Sequence, residues 1–84
     1  MSPRRSFTAD SSLVSLGQVV ETLRREAGLT QVGLAARADI DNSIVSRVER
    51  GERNPTWATL SRLSHGLEVP MWVLVKRAHD QGRG

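Results

Sequence analysis

The feature that most limits the fold of this chain is a succession of five short helical patterns separated by turns. Apolar residues recur at intervals of three and four within these patterns, and no stretch shows the alternation that marks a strand. Thr, Asp and Pro stand at positions suited to helix starts. The predicted helices are 13–27, 31–37, 42–50, 57–66 and 70–78. Helices joined by turns of about three to five residues pack only as a compact all-α domain.

The two ends of the 84-residue chain are polar and lack a helical pattern. Residues 1–11 contain several Ser residues and Pro3, and residues 79–84 read HDQGRG. Such segments do not bury enough apolar surface to offset the entropy of ordering, so a disordered arm and a flexible tail are expected. The sequence therefore predicts a single domain over 12–78.

The composition excludes several kinds of site. With no Cys and only two His, the chain has no disulfide and no thiolate zinc site, and no metal or cofactor is expected. No apolar run reaches the roughly 18 residues of a membrane span, and no secretory signal is apparent, so a cytoplasmic location is expected. The net charge is +3, and 11 of the 12 basic residues are Arg. This charge is weak support for a nucleic-acid partner, because coding bias explains the Arg content equally well.

The most informative stretch runs from Thr30 to Gly51, where two short capped helices are separated by a three-residue turn. A turn of that length holds the second helix at a steep angle to the first. Ala35 is small where the helices would approach most closely. Asp39 occupies the turn position where a left-handed conformation is expected, which Asp tolerates better than most residues. The arrangement suits DNA recognition, because a major groove about 12 Å wide admits one helix while the preceding helix supports it.

The segment from Leu16 to Val75 resembles the Cro/C1-type (XRE) helix-turn-helix family of transcriptional regulators. The likeness covers 60 of the 84 residues in order and without gaps. It is carried by Leu23, Arg24, Gly28, Leu29, Thr30, Gln31, Leu34, Ala35, Ile40, residues 46–51, residues 53–56, Leu60 and Leu63. The resemblance implies a lambda-repressor-like five-helix domain that binds a near-palindromic operator in double-stranded DNA as a homodimer. A regulator, with repression preferred, is therefore expected in place of an enzyme.

The resemblance also implies roles for the residues at matching positions, with helix 42–50 lying in the major groove. Side chains facing the base edges would be Asn42, Ser43 and Arg47, of which Asn suits adenine and Arg suits guanine. Side chains contacting phosphate would be Gln31, Ser46, Arg50, Arg53, Asn54 and Thr56. A structural ion pair between the first and third helices would be formed by Arg24 and Glu49.

Five consecutive apolar residues, 71–75, open the fifth helix, although a surface helix needs only one apolar face. Met71, Leu74 and Val75 are assigned to the face that packs inside the domain. Trp72 and Val73 then remain for a homodimer interface, since an exposed Trp is typical of such surfaces. The other interpretation is that Trp72 covers the core of its own domain.

A second hypothesis uses the same helix differently. The chain would then be an antitoxin or a protein-interaction module that docks a partner through 70–78, and controller proteins of restriction-modification systems are a related case.

Glu49 and Glu52 have no companion His or nucleophile, so no active site is expected. Trp57 is expected in the core.

The two arginines of the N-terminal arm, Arg4 and Arg5, allow two interpretations. They either reach along DNA or belong to an inert tail, and the inert tail is preferred.

Overall fold

Five helices make up the regular structure of residues 9–83, the part of the chain that the computed structural model describes. They are α1 (Ala9–Glu26), α2 (Gln31–Ala38), α3 (Asn42–Glu49), α4 (Trp57–Leu67) and α5 (Met71–Arg83). The predicted all-α, five-helix architecture is confirmed. None of these five helices is long and apolar enough to cross a membrane.

Local capping explains where the three middle helices begin. The side chains of Thr30, Asp41 and Thr56 each accept a hydrogen bond from a backbone N–H two or three residues ahead. Such a bond satisfies one of the donors that the first turn of a helix leaves without a partner. The predicted ends of α2, α3 and α4 agree with the structure to within one residue.

The outer ends of α1 and α5 extend beyond the predicted domain limits. α1 begins at Ala9, inside the predicted 1–11 arm, and α5 continues to Arg83, through most of the predicted 79–84 tail. The two helices pack along each other: the Gln81 amide donates a hydrogen bond to Gln18, and Ala78 packs against the core. This long-range packing holds the carboxyl end of α5 against α1, which no local pattern in the sequence indicates. Residues 1–8, with Arg4 and Arg5, lie outside the described part of the chain.

The core is aliphatic and lies where all five helices meet. Its fully buried large side chains are Val20, Leu34, Val45, Val48, Leu63 and Leu74. The expectation that Trp57 joins them is wrong, because its side chain is 71% exposed. Side chains lean toward the N-terminus of their helix, so the first residue of α4 projects past the helix end into solvent. Pro55 is buried beside it.

Two glycines allow helices to cross closely, and the sequence analysis predicts this role for neither of them. A Cβ on Gly17 would lie 2.4 Å from the carbonyl oxygen of Val48 and 2.6 Å from that of Glu49. α1 and the end of α3 therefore touch backbone to backbone at this point. A Cβ on Gly66 would lie 2.9 Å from a Leu34 methyl group, so α4 also packs closely against α2 where they cross.

Candidate nucleic-acid interface

The turn between α2 and α3 has the geometry that the sequence predicts. Asp39 adopts a left-handed conformation with φ of 57°, and Ala35 is buried where the two helices approach. The N–H of Ile40 returns to the carbonyl of Ala35 at 3.0 Å, which closes α2. Arg62 donates hydrogen bonds at 3.2 Å to both the carbonyl and the carboxylate of Asp39, so the Asp39 carboxylate faces α4. The two helices form a helix-turn-helix unit.

α3 has two sides with different surroundings. Val45 and Val48 are buried on its inner side, against the core. The outer face of α3, defined by Asn42, Ser43 and Arg47, is exposed. Ser43 and Arg47 are four residues apart and so lie one turn from each other along this face. The structure thus brings the three predicted base-facing residues to one accessible surface.

A buried ion pair fixes the inner side of α3 to α1. Arg24 donates through Nε to Oε2 of Glu49 at 2.6 Å and through Nη2 to Oε1 at 3.0 Å, and its Nη1 donates to the Leu29 carbonyl at 2.8 Å. The two side chains are 9% and 4% exposed. The hydrogen bond to Glu49 raises the pKa of Arg24, although burial acts in the opposite direction. This bidentate contact is the pair that the resemblance implies.

Gln31 lies beside this pair, a contact that the sequence interpretation missed. Its Nε2 donates to Oε1 of Glu49 at 2.9 Å, the oxygen that also accepts from Arg24. The first residue of α2 is therefore connected to the last residue of α3. An amide nitrogen carries two N–H groups, so this bond leaves Gln31 with a second donor.

The carboxyl end of α3 presents an exposed cluster. Arg50 donates through Nη1 to the Ser46 hydroxyl and through Nη2 to Oε1 of Glu52 at 3.0 Å. The Arg50 and Glu52 side chains are 55% and 56% exposed. The hydrogen bond with Arg50 lowers the pKa of Glu52, and the same bond raises the pKa of Arg50. Two predicted phosphate-contacting residues are thus adjacent, and an acidic residue without a predicted role in binding lies beside them.

The loop before α4 holds the other predicted phosphate contacts. Arg53 is half-buried, and its Nε is buried without a hydrogen-bond partner among the described residues. Asn54 is exposed. The Thr56 hydroxyl accepts from the N–H of Thr59 and donates to the Thr59 hydroxyl, both at 3.1 Å, so its established role in the structure is the cap of α4.

The apolar start of α5 is only partly used inside the domain. Leu74 is fully buried, whereas Trp72 is 64% exposed and Val73 is half-buried. The interpretation that Trp72 covers its own core is therefore wrong. The assignment of Val75 to the inner face is also wrong, because Val75 is exposed and lies one turn from Trp72. Trp72 and Val75 form an α5 apolar patch.

Comparison with known proteins agrees with this geometry. The sequence pattern of the family described as "Helix-turn-helix domain" matches residues 15–73. The uncharacterized HTH-type transcriptional regulator y4dJ of Sinorhizobium fredii is 44% identical over 60 residues, which are 71% of this chain and 78% of that protein. The immunity repressor protein of Bacillus phage phi105 is 32% identical over 62 residues, which are 74% of this chain and 43% of that longer protein.

A solved structure shares the fold over most of both chains. It is the tetramer of the restriction-modification controller protein C.Esp1396I in complex with its natural 35 base-pair operator. The TM-score is 0.79 at 30% identity, and the match covers 87% of this chain and 96% of that one. With its exposed outer face on α3, its buried Arg24–Glu49 pair and these relatives, the chain belongs to the helix-turn-helix family, as a Cro/C1-type DNA-binding transcriptional regulator with a lambda-repressor-like fold.

Proposed function

We propose that the chain binds a near-palindromic operator in double-stranded DNA as a homodimer, in the cytoplasm, and represses transcription by occupying that site. It acts by binding and not by catalysis. The observation that carries the proposal is the contrast between the two sides of α3. The inner side is fixed to α1 and α2 by Glu49, while Asn42, Ser43 and Arg47 are exposed together on the outer face.

The outer face of α3 supplies the base contacts in this proposal. Arg47 has the two parallel donors that match O6 and N7 of guanine, and Asn42 has the donor and acceptor that match adenine. Ser43 donates to or accepts from either kind of base. Because α3 is held rigidly from behind, it can enter the major groove with little loss of backbone conformational entropy.

The surroundings of α3 supply the phosphate contacts. Ser46 and Arg50 lie at its carboxyl end, and the loop before α4 adds Arg53, Asn54 and Thr56. Gln31 contributes its second N–H at the start of α2, where backbone donors also favour an anion. These contacts position the protein, and affinity falls as the salt concentration rises.

The homodimer is proposed to form through Trp72 and Val73 of α5, with Val75 extending the surface. Two copies would then present their α3 helices to successive major grooves about 34–36 Å apart. Trp72→Glu places a charge in this interface and should shift sedimentation of the purified protein toward the monomer. An unchanged dimer would place the interface elsewhere.

A second candidate function is supported by the similarity to C.Esp1396I, whose name describes a restriction-modification controller. In this role the same DNA-binding surface regulates the genes of such a system. A related alternative is an antitoxin or interaction module that docks a protein through residues 70–78, which the exposed Trp72 supports. A purified dimer that binds DNA alone favours the regulator, whereas a monomer that is stabilised by a co-expressed partner favours the module.

Selection of bound fragments from random duplex DNA, followed by Arg47→Ala on the selected site, tests the proposed function. The substitution should weaken binding to the selected site by about 1–3 kcal/mol and relax the choice of base at one position. Arg37→Ala is the matched control, because Arg37 is an exposed arginine that pairs at 3.4 Å with Glu68, the residue that follows α4. Equal losses of affinity on selected and random DNA would contradict a base-reading role for Arg47.

A further inference from the structure

An acidic side chain stands within the surface that is proposed to contact phosphate. Glu52 follows α3 by three residues, and its Oε1 accepts from Nη2 of Arg50 at 3.0 Å. Its position is fixed by the end of the helix: Gly51 adopts φ of 73°, and the N–H of Glu52 returns to the Arg47 carbonyl at 2.9 Å. The backbone of Glu52 is therefore held beside the last turn of α3, within reach of Arg50.

The contact between Glu52 and Arg50 uses the donors that a phosphate would use. A guanidinium binds carboxylate and phosphate oxygens with the same geometry, so the two acceptors compete for it. Both side chains are more than half exposed, which leaves the pair accessible to DNA. Arg47 also attracts the Glu52 carboxylate at longer range, and together with Arg50 it holds the pKa of Glu52 below its ordinary value.

We propose that Glu52 is an internal competitor for DNA phosphate at Arg50 and that it limits the affinity of the protein for any duplex. The inference rests on the proposed function, in which Arg50 contacts phosphate. On binding, a phosphate oxygen replaces the Glu52 carboxylate at Nη2, and the released carboxylate then lies next to the negative DNA backbone. Both steps oppose binding.

This competition has a consequence for binding to non-specific DNA. Phosphate contacts supply nearly all of non-specific binding and carry no sequence information. Weakening them lowers occupancy of the many random sites that compete with an operator. Base contacts through Asn42, Ser43 and Arg47 are left intact, so the preference for the operator is retained.

Affinity and its salt dependence, measured for Glu52→Gln on the selected operator and on a random duplex, test the inference. The substitution keeps the size of the side chain and removes its charge. Affinity should rise roughly three- to tenfold at low salt on both duplexes. The plot of log affinity against log salt should steepen by up to about 0.9, which corresponds to one further phosphate neutralised. Glu68→Gln is the matched control, because it removes an exposed carboxylate that pairs with Arg37, and it should change affinity less than about twofold.

The route through Arg50 is tested by the double variant Arg50→Gln/Glu52→Gln. Compared with Arg50→Gln alone, the double variant should gain less affinity than Glu52→Gln gains over the parent, because without Arg50 only the repulsion between the Glu52 carboxylate and the DNA backbone is removed. Equal affinity of Glu52→Gln and the parent on both duplexes would overturn the inference, and so would a gain confined to the operator, which would make Glu52 a base-reading residue. These two outcomes would reject only the role of Glu52, provided that the parent protein selects a site and that Arg47→Ala relaxes the preference for one base in that site. A parent protein that binds no DNA would reject the proposed function as well.

Discussion

One Arg–Glu pair lies against the inner side of α3 and another lies at its carboxyl end, and the two pairs differ in their access to water. Arg24 and Glu49, on the inner side, are 9% and 4% exposed, and the carboxylate also receives a hydrogen bond from Gln31. Arg50 and Glu52, at the outer end, are 55% and 56% exposed. The buried pair therefore holds α3 against α1, whereas the exposed pair can exchange its partner.

Water explains the difference. An exposed pair gains little, because each partner is well solvated when the pair is broken and salt screens the attraction. A buried pair that loses one partner leaves a charge without solvent, which is costly whatever the pair itself contributes. The inner pair should consequently determine the stability and position of α3, while the outer pair should influence binding.

The largest effect is expected where α1 meets the inner side of α3. Gly17→Ala places a methyl group 2.4 Å from the Val48 carbonyl oxygen, and because the obstacle is backbone, the two helices must separate. The free energy of unfolding should fall by about 3 kcal/mol or more, measured by urea denaturation. Gly33→Ala is the control: its nearest contact is the Thr30 hydroxyl at 3.3 Å, and helix propensity favours Ala by up to about 1 kcal/mol. Equal stability of both variants would mean that α1 and α3 do not cross at Gly17.

A smaller loss is expected from the buried pair itself. Glu49→Gln keeps the shape of the side chain but leaves the Arg24 charge buried without its counter-charge, so the free energy of unfolding should fall by about 2–4 kcal/mol. The same change at the outer pair, Glu52→Gln, should leave the urea midpoint unchanged within error. If the two substitutions alter stability equally, burial does not distinguish the pairs.

The smallest effect concerns the protonation of Glu52. Arg50 lowers the pKa of Glu52 in the folded protein. The ion pair therefore contributes to folding stability at pH values above the ordinary pKa of a Glu side chain, and this contribution is lost as the pH falls through the folded-state pKa. Arg50→Gln should move the pKa of Glu52 upward, toward its ordinary value, in a titration followed by NMR of the side-chain carboxyl carbon. An unchanged titration midpoint would show that the two side chains do not pair in solution.

Much of the helical order follows from local signals in the sequence. Thr30, Asp41 and Thr56 mark the starts of α2, α3 and α4 because a cap needs only residues two or three positions away. The left-handed Asp39 is predictable for the same reason.

The rest depends on contacts between distant residues. The carboxyl end of α5 packs along α1, and the need for Gly17 appears only once α3 lies against it. Trp57 is wrongly predicted to be buried because an apolar residue after the Thr56 cap does not by itself show whether the first side chain of α4 reaches the core. In the candidate site, the family resemblance implies that Asn42, Ser43 and Arg47 share one face, but it does not predict the contact between Gln31 and Glu49.

Methylation interference on the selected operator tests the central claim, that the outer face of α3 reads bases in the major groove. Methylation of guanine N7, which lies in that groove, should block binding of the parent protein at the positions that Arg47 contacts. The same guanines should matter much less to Arg47→Ala. Interference from adenine N3 in the minor groove alone, with the same pattern for both proteins, would contradict the account.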